Sequence, residues 1–493
     1  MVHAGIRRPV RRRGIAGGAG APGALLPNRV SRGSWAGYHA RRDTGRTRMK
    51  PPAPAKTRTQ REDTLEVAGL SHDGRGVARR DGKTVFVAGA LPGEQVRCRV
   101  THGKARFDEA RLLEVLRASP ERRTPHCPHF GHCGGCTLQH LSSAAQLAAH
   151  QQQLASALER IAGLQPGAWL APVASEPFGY RARARLAVAW DPGARRVALG
   201  FRRGASRVVE PVGACPVLAP AASALIAPLA ALIATLAAPG RVRELWLATG
   251  EPGLALGVAC APDLDAPDRG RLQALAAGHG AVLHFGRAAT DGSATQWTEG
   301  GPPLRYATAP GGPALEFQPW HFTQANRAVN RALIEAVLSQ LAPGASDRVL
   351  ELFCGLGNFT LPLAAHAAAV TGVEGDAALI DWARRNARAN GLGNTEFVAA
   401  DLAVAPRGAA WARARYDLVL LDPPRSGAAA LLPALARLGA RRIAYVSCDA
   451  ATLARDAAVL CARGAWSLTH AGVFDIFPQT AHFESLAIFA ART

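Results

Sequence analysis

The C-terminal third of the chain, from about residue 346, alternates short apolar runs with helical patterns. Three of the apolar runs are DRVLELF (347–353), YDLVLL (416–421) and RRIAYV (441–446). Runs of this kind are typical of strands covered on both faces, as in a parallel sheet. A polar residue or a glycine turn follows each run, and open α/β sheets bind ligands at the carboxyl ends of their strands. The pattern predicts an α/β domain with a ligand site at that edge.

A glycine turn, Cys354 to Asn358 (CGLGN), follows the first of these runs. It lacks the third glycine of a dinucleotide-binding turn, which is needed where a pyrophosphate lies against the helix. Glu374 ends the next predicted strand, about 20 positions after Gly355, the spacing at which an acidic residue binds ribose hydroxyls. An adenosyl ligand without phosphates fits better than NAD. Together with Asp401 and Asp422 after two further runs, the turn indicates S-adenosylmethionine.

One thiol, Cys448, lies where an apolar run (443–446) gives way to a helical pattern that extends to about Gly464. A cysteine at the start of a helix lies at the positive end of the helix dipole, which lowers the pKa of the thiol and favours the thiolate. The alternative is a buried cysteine that only ends a strand, and ordinary burial favours it for a lone cysteine. The pattern of the whole C-terminal third favours a nucleophile.

Cys127, Cys133 and Cys136 are spaced C-x5-C-x2-C in a segment rich in proline, glycine and histidine. In a chain without a secretory signal, such a cluster favours a metal site over a disulfide framework. Three thiolates need a fourth ligand. The candidates are Cys215, His126, His129, His132 and His140. On spacing alone, a zinc site with three cysteines and one histidine is the alternative to a site with four cysteines.

The segment 61–117 has the pattern of a small β-barrel. Residues 84–87 are apolar and mostly β-branched, residues 96–100 alternate strictly, and Arg80-Asp81-Gly82-Lys83 is a hairpin turn. The predicted strands present three arginines to solvent: Arg97, Arg99 and Arg111. Outward-facing arginines favour contact with phosphate groups over a small barrel with no ligand.

Six motifs resemble, in the same order, those of the RNA uracil-C5 methyltransferases, and within them the group that modifies bacterial 23S ribosomal RNA. They are FTQAN (322–326), LELFCGLGNFTLPLA (350–364), GVEG (372–375), LLDPPRSG (420–427), YVSCDAATLARD (445–456) and DIFPQTAHFES (475–485). Residues 74–78 also resemble the TRAM domain. The resemblance implies an α/β protein with a C-terminal Rossmann-like S-adenosylmethionine methyltransferase domain, an N-terminal OB-like TRAM β-barrel that binds RNA, and a central α/β domain.

The resemblance also implies roles for individual residues. Six would contact the methyl donor: Gln324, Phe353, Asn358, Glu374, Asp401 and Asp422. Cys448 would be the nucleophile that adds to C6 of uracil, and Glu484 the base that removes the C5 proton. The alternative for Glu484 is a surface glutamate before the last strand. The family usually has asparagine where this chain has Asp449; both residues cap helices well, but the extra anion opposes ionisation of the thiol.

For the cysteine cluster, the resemblance implies Cys215 as the fourth ligand. It favours a [4Fe–4S] cluster, held by Cys127, Cys133, Cys136 and Cys215, over zinc. The cluster would have a structural role.

At 493 residues, the chain exceeds a single core. The predicted parts are a disordered basic tail (1–60), the TRAM barrel (61–117), the central domain with the iron–sulfur cysteines (118–320) and the methyltransferase domain (321–493). Met49 offers an alternative start within the tail. The net charge of +21 favours a nucleic-acid partner, here 23S ribosomal RNA.

Outside an alanine-rich stretch at 221–238, interpreted as a soluble helix because of its weak apolarity and Pro228, no segment is long and apolar enough to cross a membrane. We expect a cytoplasmic monomer that requires no protein partner. Two other functions remain open. The first is methylation of the T-loop uridine of tRNA, which the barrel and cysteine cluster disfavour. The second is a non-catalytic RNA-binding protein of the same fold, which the intact Cys448, Glu484 and DPPR motif disfavour.

Overall fold

The computed structural model describes residues 61–251, 253–289, 295–299, 301–462 and 464–492. The tail predicted over residues 1–60, with Met49, lies outside these ranges. Within them, no helix has both the length and the apolar character that a membrane crossing requires.

Five strands close into a barrel: β1 (Glu62–Leu70), β2 (Gly76–Arg80), β3 (Lys83–Ala88), β4 (Gln95–Gly103) and β5 (Phe107–Arg117). Their order around the barrel is β1-β2-β3-β5-β4. The predicted hairpin turn is confirmed, because Asp81 and Gly82 adopt φ angles of 50° and 77° between β2 and β3. Positive φ at both central residues is what a tight, twisted hairpin requires. Leu65, Val85 and Val96 lie in its apolar interior.

Two of the three arginines expected to contact phosphate form ion pairs within the barrel. Arg97 pairs with Glu62 and Glu114, and Arg99 pairs with Glu62. The strand register explains the pairs, since Arg99 lies opposite Glu62 and Arg97 lies opposite Glu114. Opposite charges on facing strands attract. Neighbouring carboxylates therefore neutralise part of the positive charge that was expected to contact RNA phosphates.

The segment that contains Cys127, Cys133 and Cys136, called the cysteine segment, follows the barrel. The helix α1 (Ser143–Ala157) comes next and continues as a π-helical turn over Leu158–Ala162. Its fully buried residues, Gln146, His150 and Leu154, recur every four positions and so share one face of the helix. The short strand β6 (Ala168–Trp169) follows.

A seven-stranded sheet forms the central part. Its strands and the helices connected to them are β7 (Arg183–Asp191), β8 (Arg196–Arg202), β9 (Val209–Pro211), α2 (Pro220–Ala224), α3 (Ile226–Ala234), β10 (Val242–Gly250), β11 (Gly253–Cys260), α4 (Ala266–Gly278), β12 (Ala281–Arg287) and β13 (Gln296–Glu299). The strand order is β13-β12-β11-β10-β7-β8-β9. A short 3-10 turn, Pro239–Arg241, precedes β10.

The single helix predicted over residues 221–238 is wrong. The structure has two shorter helices that meet at Leu225, and the second ends at Ala234. Pro228 explains the interruption, since proline has no N–H to donate and its ring clashes with the carbonyl group four residues earlier. The predicted strands at 184–190, 243–248 and 254–261 correspond to β7, β10 and β11.

The C-terminal part begins with a hairpin of β14 (Leu304–Ala307) and β15 (Ala314–Phe317) and the helix α5 (Arg327–Leu341). The remaining elements are β16 (Arg348–Leu352), α6 (Thr360–Ala364), β17 (Ala369–Glu374), α7 (Ala377–Ala389), β18 (Thr395–Ala399), β19 (Leu418–Leu421), α8 (Leu432–Leu435), β20 (Arg442–Ser447), α9 (Ala450–Cys461), β21 (Trp466–Phe474) and β22 (Glu484–Ala491). The strand order in this sheet is β18-β17-β16-β19-β20-β22-β21-β6.

The strands from β16 to β20 pair in parallel, and β22 runs antiparallel to both β20 and β21. The strands predicted in this third of the chain are confirmed. Residues 359–368 have a helical sequence pattern, but α6 ends at Ala364. The chain turns back there, and the Ala368 N–H donates to the Asp347 carbonyl group (2.9 Å). Apolar clusters on the two faces of the sheet cover the strands, as the continuous apolar runs predict.

Candidate active site

The parallel strands bring the predicted polar residues to one edge of the C-terminal sheet. Phe353, Glu374 and Asp422 lie at or just beyond the ends of β16, β17 and β19, and Cys448 lies just beyond β20. Because neighbouring parallel strands all end at this edge, residues far apart in sequence come together there. The position of the site is therefore a direct consequence of the strand pattern.

Glu374 holds the glycine turn in place. Its Oε1 accepts hydrogen bonds from the N–H groups of Gly375 (2.7 Å) and Asp376 (3.1 Å), and its Oε2 accepts one from Gly355 (3.2 Å). Phe353 has a φ of 68°, in the left-handed region that non-glycine residues seldom adopt. Such backbone strain concentrates at ligand sites.

The other predicted contacts of the methyl donor have different surroundings. The Asn358 amide exchanges two hydrogen bonds with the Asn330 amide, each 2.9 Å, and accepts a third from the Tyr306 hydroxyl (3.0 Å). Gln324 is buried just before α5. Asp401 is exposed, and its carboxylate accepts a hydrogen bond from the Ala403 N–H (2.9 Å). That these three side chains contact the methyl donor remains a prediction.

Cys448 lies between β20 and α9, and Asp449 caps the helix by accepting a hydrogen bond from the Thr452 N–H (2.8 Å). The prediction that the helix dipole lowers the pKa of the thiol is wrong for this structure. Burial raises the pKa of Cys448 to about 12, the negative charges of Glu484 and Asp422 act in the same direction, and the positive charge of Arg425 opposes them. Desolvation of the thiolate is the largest cause of the shift.

Glu484 is the first residue of β22, next to the nucleophile strand. Ser485 pairs with Ser447, the last residue of β20, and its hydroxyl donates to the Ser447 carbonyl group (2.8 Å). The alternative of a surface glutamate is wrong, because Glu484 is only 5% exposed. Burial and the charge of Asp422 raise the pKa of Glu484 well above its ordinary value, and Arg425 opposes this shift.

Asp422 is a half-buried carboxyl group of the same site. Burial, with a contribution from the charge of Glu374, raises the pKa of Asp422 to about 7. Two carboxyl groups and a thiol therefore share a small volume in which every negative charge opposes the next. Groups with such perturbed pKa values are typical of sites that move protons.

Sequence reasoning missed two supporting residues. Arg425, within the LLDPPRSG motif, lowers the pKa of the Cys448 thiol by its positive charge and lies 3.3 Å from the His482 ring. Asp456, which is fully buried, accepts hydrogen bonds from the Tyr445 hydroxyl (2.6 Å) and the Ala428 N–H (2.8 Å). The second bond holds the loop between β19 and α8, called the Arg425 loop, against α9. The sequence offered two signals: the arginine of the LLDPPRSG motif, and the acidic Asp456 inside the apolar helical pattern that follows Cys448.

The glycine of that loop is required by space and by conformation. Gly427 has a φ of 79°, and a Cβ there would lie 2.4 Å from the Thr452 side chain. The Arg425 carbonyl group also accepts a hydrogen bond from the Thr452 hydroxyl (3.0 Å). Close contact with α9 therefore keeps the Arg425 loop beside Cys448.

The cysteine segment lies against the end of the central sheet. The Gly134 N–H donates to the Arg202 carbonyl group (3.0 Å), and a bridge pairs Cys133 with Arg203. Cys215 follows β9, and its N–H donates to the Ser223 hydroxyl (2.9 Å). Burial raises the pKa of Cys136 to about 11, and the charges of Cys215, Cys133 and Cys127 add to the shift. The four thiols are therefore within electrostatic reach of one another.

Within the part of the chain that the structure describes, no three histidine, cysteine, aspartate or glutamate side chains have the arrangement needed to hold a metal ion. Of the alternative ligands, His129 pairs with Glu210 (3.3 Å). His140 is buried, and neither of its ring nitrogens has a hydrogen-bond partner among the described residues. Four neighbouring thiols fit the donor chemistry of an iron–sulfur or zinc site, but the arrangement is not preformed.

Comparison with known proteins identifies two families along the chain. Residues 315–492 match the tRNA (Uracil-5-)-methyltransferase family, and residues 57–113 match the TRAM domain. A 23S rRNA (uracil(1939)-C(5))-methyltransferase, RlmD, of Alkalilimnicola ehrlichii is 46% identical over 86% of this chain and 96% of its own length. The protein of the same name from Pseudomonas putida is 46% identical, covering 87% of this chain and 94% of that protein.

Among solved structures, the tRNA (uracil-54, C5)-methyltransferase of Pyrococcus abyssi, in complex with S-adenosyl-L-homocysteine, superposes with a TM-score of 0.67. The superposition covers 87% of this chain and 100% of that chain, with 23% sequence identity. At this identity the likeness concerns the fold alone.

Proposed function

Because the chain belongs to the RNA uracil-C5 methyltransferase family, we propose that it methylates C5 of uracil 1939 in 23S ribosomal RNA, the activity named for its relatives. S-adenosylmethionine is the methyl donor. The observation that carries the mechanism is the meeting of Cys448, Glu484 and Asp422 at one edge of the C-terminal sheet. A nucleophile and a base are what this reaction needs, beside residues that hold the methyl donor.

The reaction begins at Cys448. The thiol must lose its proton before it can attack, and in the free protein burial opposes that loss. Arg425, whose positive charge lowers the pKa of the thiol, is the described group that stabilises the thiolate. The thiolate adds to C6 of the uracil ring, and the electrons of the C5=C6 bond move toward the O4 carbonyl group to give an enolate. C5 of this enolate is nucleophilic, whereas C5 of uracil is a poor nucleophile.

S-adenosylmethionine supplies an electrophilic methyl group when bound. We propose that Gln324, Phe353, Asn358, Glu374, Asp401 and Asp422 hold it at the strand ends. The glycine turn supports this assignment, because Glu374 anchors it and Gly355 and Gly357 both adopt positive φ, which gives the backbone close access to a ligand. C5 takes the methyl group as the bond between the methyl carbon and the sulfonium sulfur breaks and S-adenosylhomocysteine leaves, so that C5 then carries both a methyl group and a hydrogen.

Glu484 completes the reaction as the base. Its carboxylate removes the C5 proton, the electrons of that C–H bond restore the C5=C6 bond, and the C6–S bond breaks to release the Cys448 thiolate. Burial raises the pKa of Glu484, which makes its ionised form a stronger base than an exposed glutamate. The site thereby returns to its starting covalent state.

We also propose that Cys127, Cys133, Cys136 and Cys215 hold a [4Fe–4S] cluster. The support is the electrostatic proximity of the four thiols and the softness of thiolate ligands. Zinc is the alternative. The cluster would join the cysteine segment to the central sheet, where Gly134 already bonds to Arg202, and has no part in methyl transfer.

The domain limits 61–117, 118–320 and 321–493, with 1–60 as a tail, belong to the same proposal, as does a cytoplasmic monomer without a required protein partner. Mapping of 5-methyluridine in total RNA from a deletion strain tests the substrate. We expect loss of the modification at uracil 1939 of 23S ribosomal RNA and its return with the wild-type gene but not with Cys448→Ala. Loss from the T-loop of tRNA instead would assign the other substrate.

A further inference from the structure

The proposed base ends a loop, residues 475–483, that joins β21 to β22. Glu484 lies directly after this loop, and its buried Oε2 has no hydrogen-bond partner among the described residues. No hydrogen bond to this oxygen therefore orients the carboxyl group. Pairing of Glu484 with Phe474 fixes its backbone against β21, and the loop fixes the backbone that leads into it.

Gln479, at the middle of the loop, is held in an unusual conformation. Its φ is 71°, a left-handed value that is unfavourable for a non-glycine residue and persists only where the surroundings enforce it. The Gln479 carbonyl group accepts hydrogen bonds from the N–H groups of Thr137 and Leu138, each 2.9 Å. Its N–H donates to Oε1 of Gln146 (2.8 Å). Both backbone groups of Gln479 are thus bound by the segment from Thr137 to Gln146.

Gln146 lies on the buried face of α1 and is 1% exposed. Its Nε2 lies within hydrogen-bonding distance of the Leu141 carbonyl group (2.7 Å), the Leu138 carbonyl group (3.1 Å) and Oε1 of Gln479 (3.2 Å). The Gln146 amide therefore accepts a hydrogen bond from the loop backbone and donates both to its own segment and to the Gln479 side chain. Only a side chain with a donor and an acceptor at its end can do both.

The same elements fix the residues between Gln479 and Glu484. The Ala481 N–H donates to the Thr137 hydroxyl (3.0 Å), and the Thr480 carbonyl group lies 3.1 Å from Nε2 of His150 on α1. The His150 ring stacks on Phe483, with ring centroids 4.9 Å apart. Contacts with α1 and the segment after Cys136 therefore continue up to the residue before the base.

We propose that Gln146 is a positioning residue for proton abstraction: with Thr137 it clamps Gln479 and so aims Glu484 at the C5 proton. The inference rests on the proposed function. It has a step-specific consequence, because Cys448 is positioned by β20 and α9 and not by the clamp. Loss of Gln146 should leave thiolate addition and methyl transfer intact and slow the release of methylated RNA.

The test compares Gln146→Ala and Gln146→Glu with Gln152→Ala in full-length protein purified anaerobically, with iron measured in each sample. Gln152 is a matched control, since it is the same residue type on the same helix but is exposed. Gln146→Glu keeps an acceptor for the Gln479 N–H and loses the donor, so it serves if the alanine variant does not fold. Two rates are measured: covalent addition to RNA that contains 5-fluorouridine, and release of methylated product from uridine RNA.

For both Gln146 variants we expect addition at close to the wild-type rate. Product release should be slowed between about tenfold and about a hundredfold, which is the effect of displacing a catalytic group by up to about 1 Å. Methylated covalent complex should accumulate on uridine RNA. Gln152→Ala should behave as wild type. Release at the wild-type rate in the Gln146 variants, or an equal loss of addition and release, would overturn the inference. Absence of any adduct with the wild-type protein would instead refute the proposed function.

Discussion

The edge of the C-terminal sheet and the cysteine segment bring functional side chains together by different means. At the sheet edge, strand register places Cys448 beside Glu484, because β20 and β22 pair through Ser447 and Ser485. In the cysteine segment, loops bring four thiols within electrostatic reach but not into a metal-binding arrangement. Geometry set by a sheet exists before any ligand binds, whereas a loop site takes its final geometry from the bound metal.

Removal of the nucleophile should have the largest effect on the function of the sheet edge. Cys448→Ala should lower methyl transfer by about 10⁴-fold or more, as removal of a covalent nucleophile does, while RNA affinity changes only a few-fold. Methyl incorporation and filter binding measure the two effects. Cys461→Ala, at the end of the helix that follows Cys448, is the control and should stay active. Substantial turnover by the Cys448 variant would remove it from the mechanism.

Removal of the base should have a smaller and different effect. Glu484→Gln can still add to C6 and transfer the methyl group but cannot take the C5 proton, so turnover should fall by about 10² to 10⁴-fold. A methylated covalent complex should accumulate on denaturing gels, which Cys448→Ala never shows. Fast turnover would give the role of base to another residue.

Substitutions of the four clustered cysteines should have the opposite pattern, with a larger effect on RNA binding than on the chemical steps. Serine in place of Cys127, Cys133, Cys136 or Cys215 should abolish the brown colour and the bound iron of anaerobically purified protein, and should impair solubility and RNA binding more than chemistry on bound substrate. Wild-type protein should hold about four irons per chain. Stoichiometric zinc without iron would contradict the cluster and leave the methyltransferase assignment intact.

The pH dependence of kcat/KM tests the electrostatics of the sheet edge. The thiol and the base act in their ionised forms, and burial raises the pKa of Cys448 and Glu484. Since a pKa of about 12 keeps the Cys448 thiol protonated at neutral pH, kcat/KM should increase from about pH 6 to about pH 9. A flat profile over that range would show that the free enzyme already holds both groups ionised.

The smallest expected effect concerns Glu351, a buried acid beneath the glycine turn that accepts a hydrogen bond from the Thr360 hydroxyl. Burial raises its pKa to about 8. The folded protein therefore retains a proton that the unfolded chain releases, and this contribution to stability is lost as pH rises through about 8. Glu351→Gln should flatten the fall of Tm between pH 6 and about pH 9 by a few degrees. An unchanged slope would contradict the raised pKa.

Much of the sheet edge could be predicted from the sequence because parallel strands are continuous apolar runs and their ends are marked by Glu374, Asp422 and Cys448. The raised pKa of the thiol could not, since it depends on the burial of Cys448 itself and on the charges of Glu484 and Asp422. Nor could the contact between Gln146 and Gln479, which are 333 positions apart. No local pattern relates a helix near the cysteines to the loop before β22.

The central claim is that Cys448 bonds to the uracil and that Glu484 then releases it. Mass spectrometry of tryptic peptides from Glu484→Gln, incubated with a 23S ribosomal RNA fragment and S-adenosylmethionine and then digested with nuclease, tests both parts. The account predicts a methylated uridine attached to the peptide that contains Cys448. A methylated uridine on another residue, or free methylated RNA with no attached peptide, would contradict it.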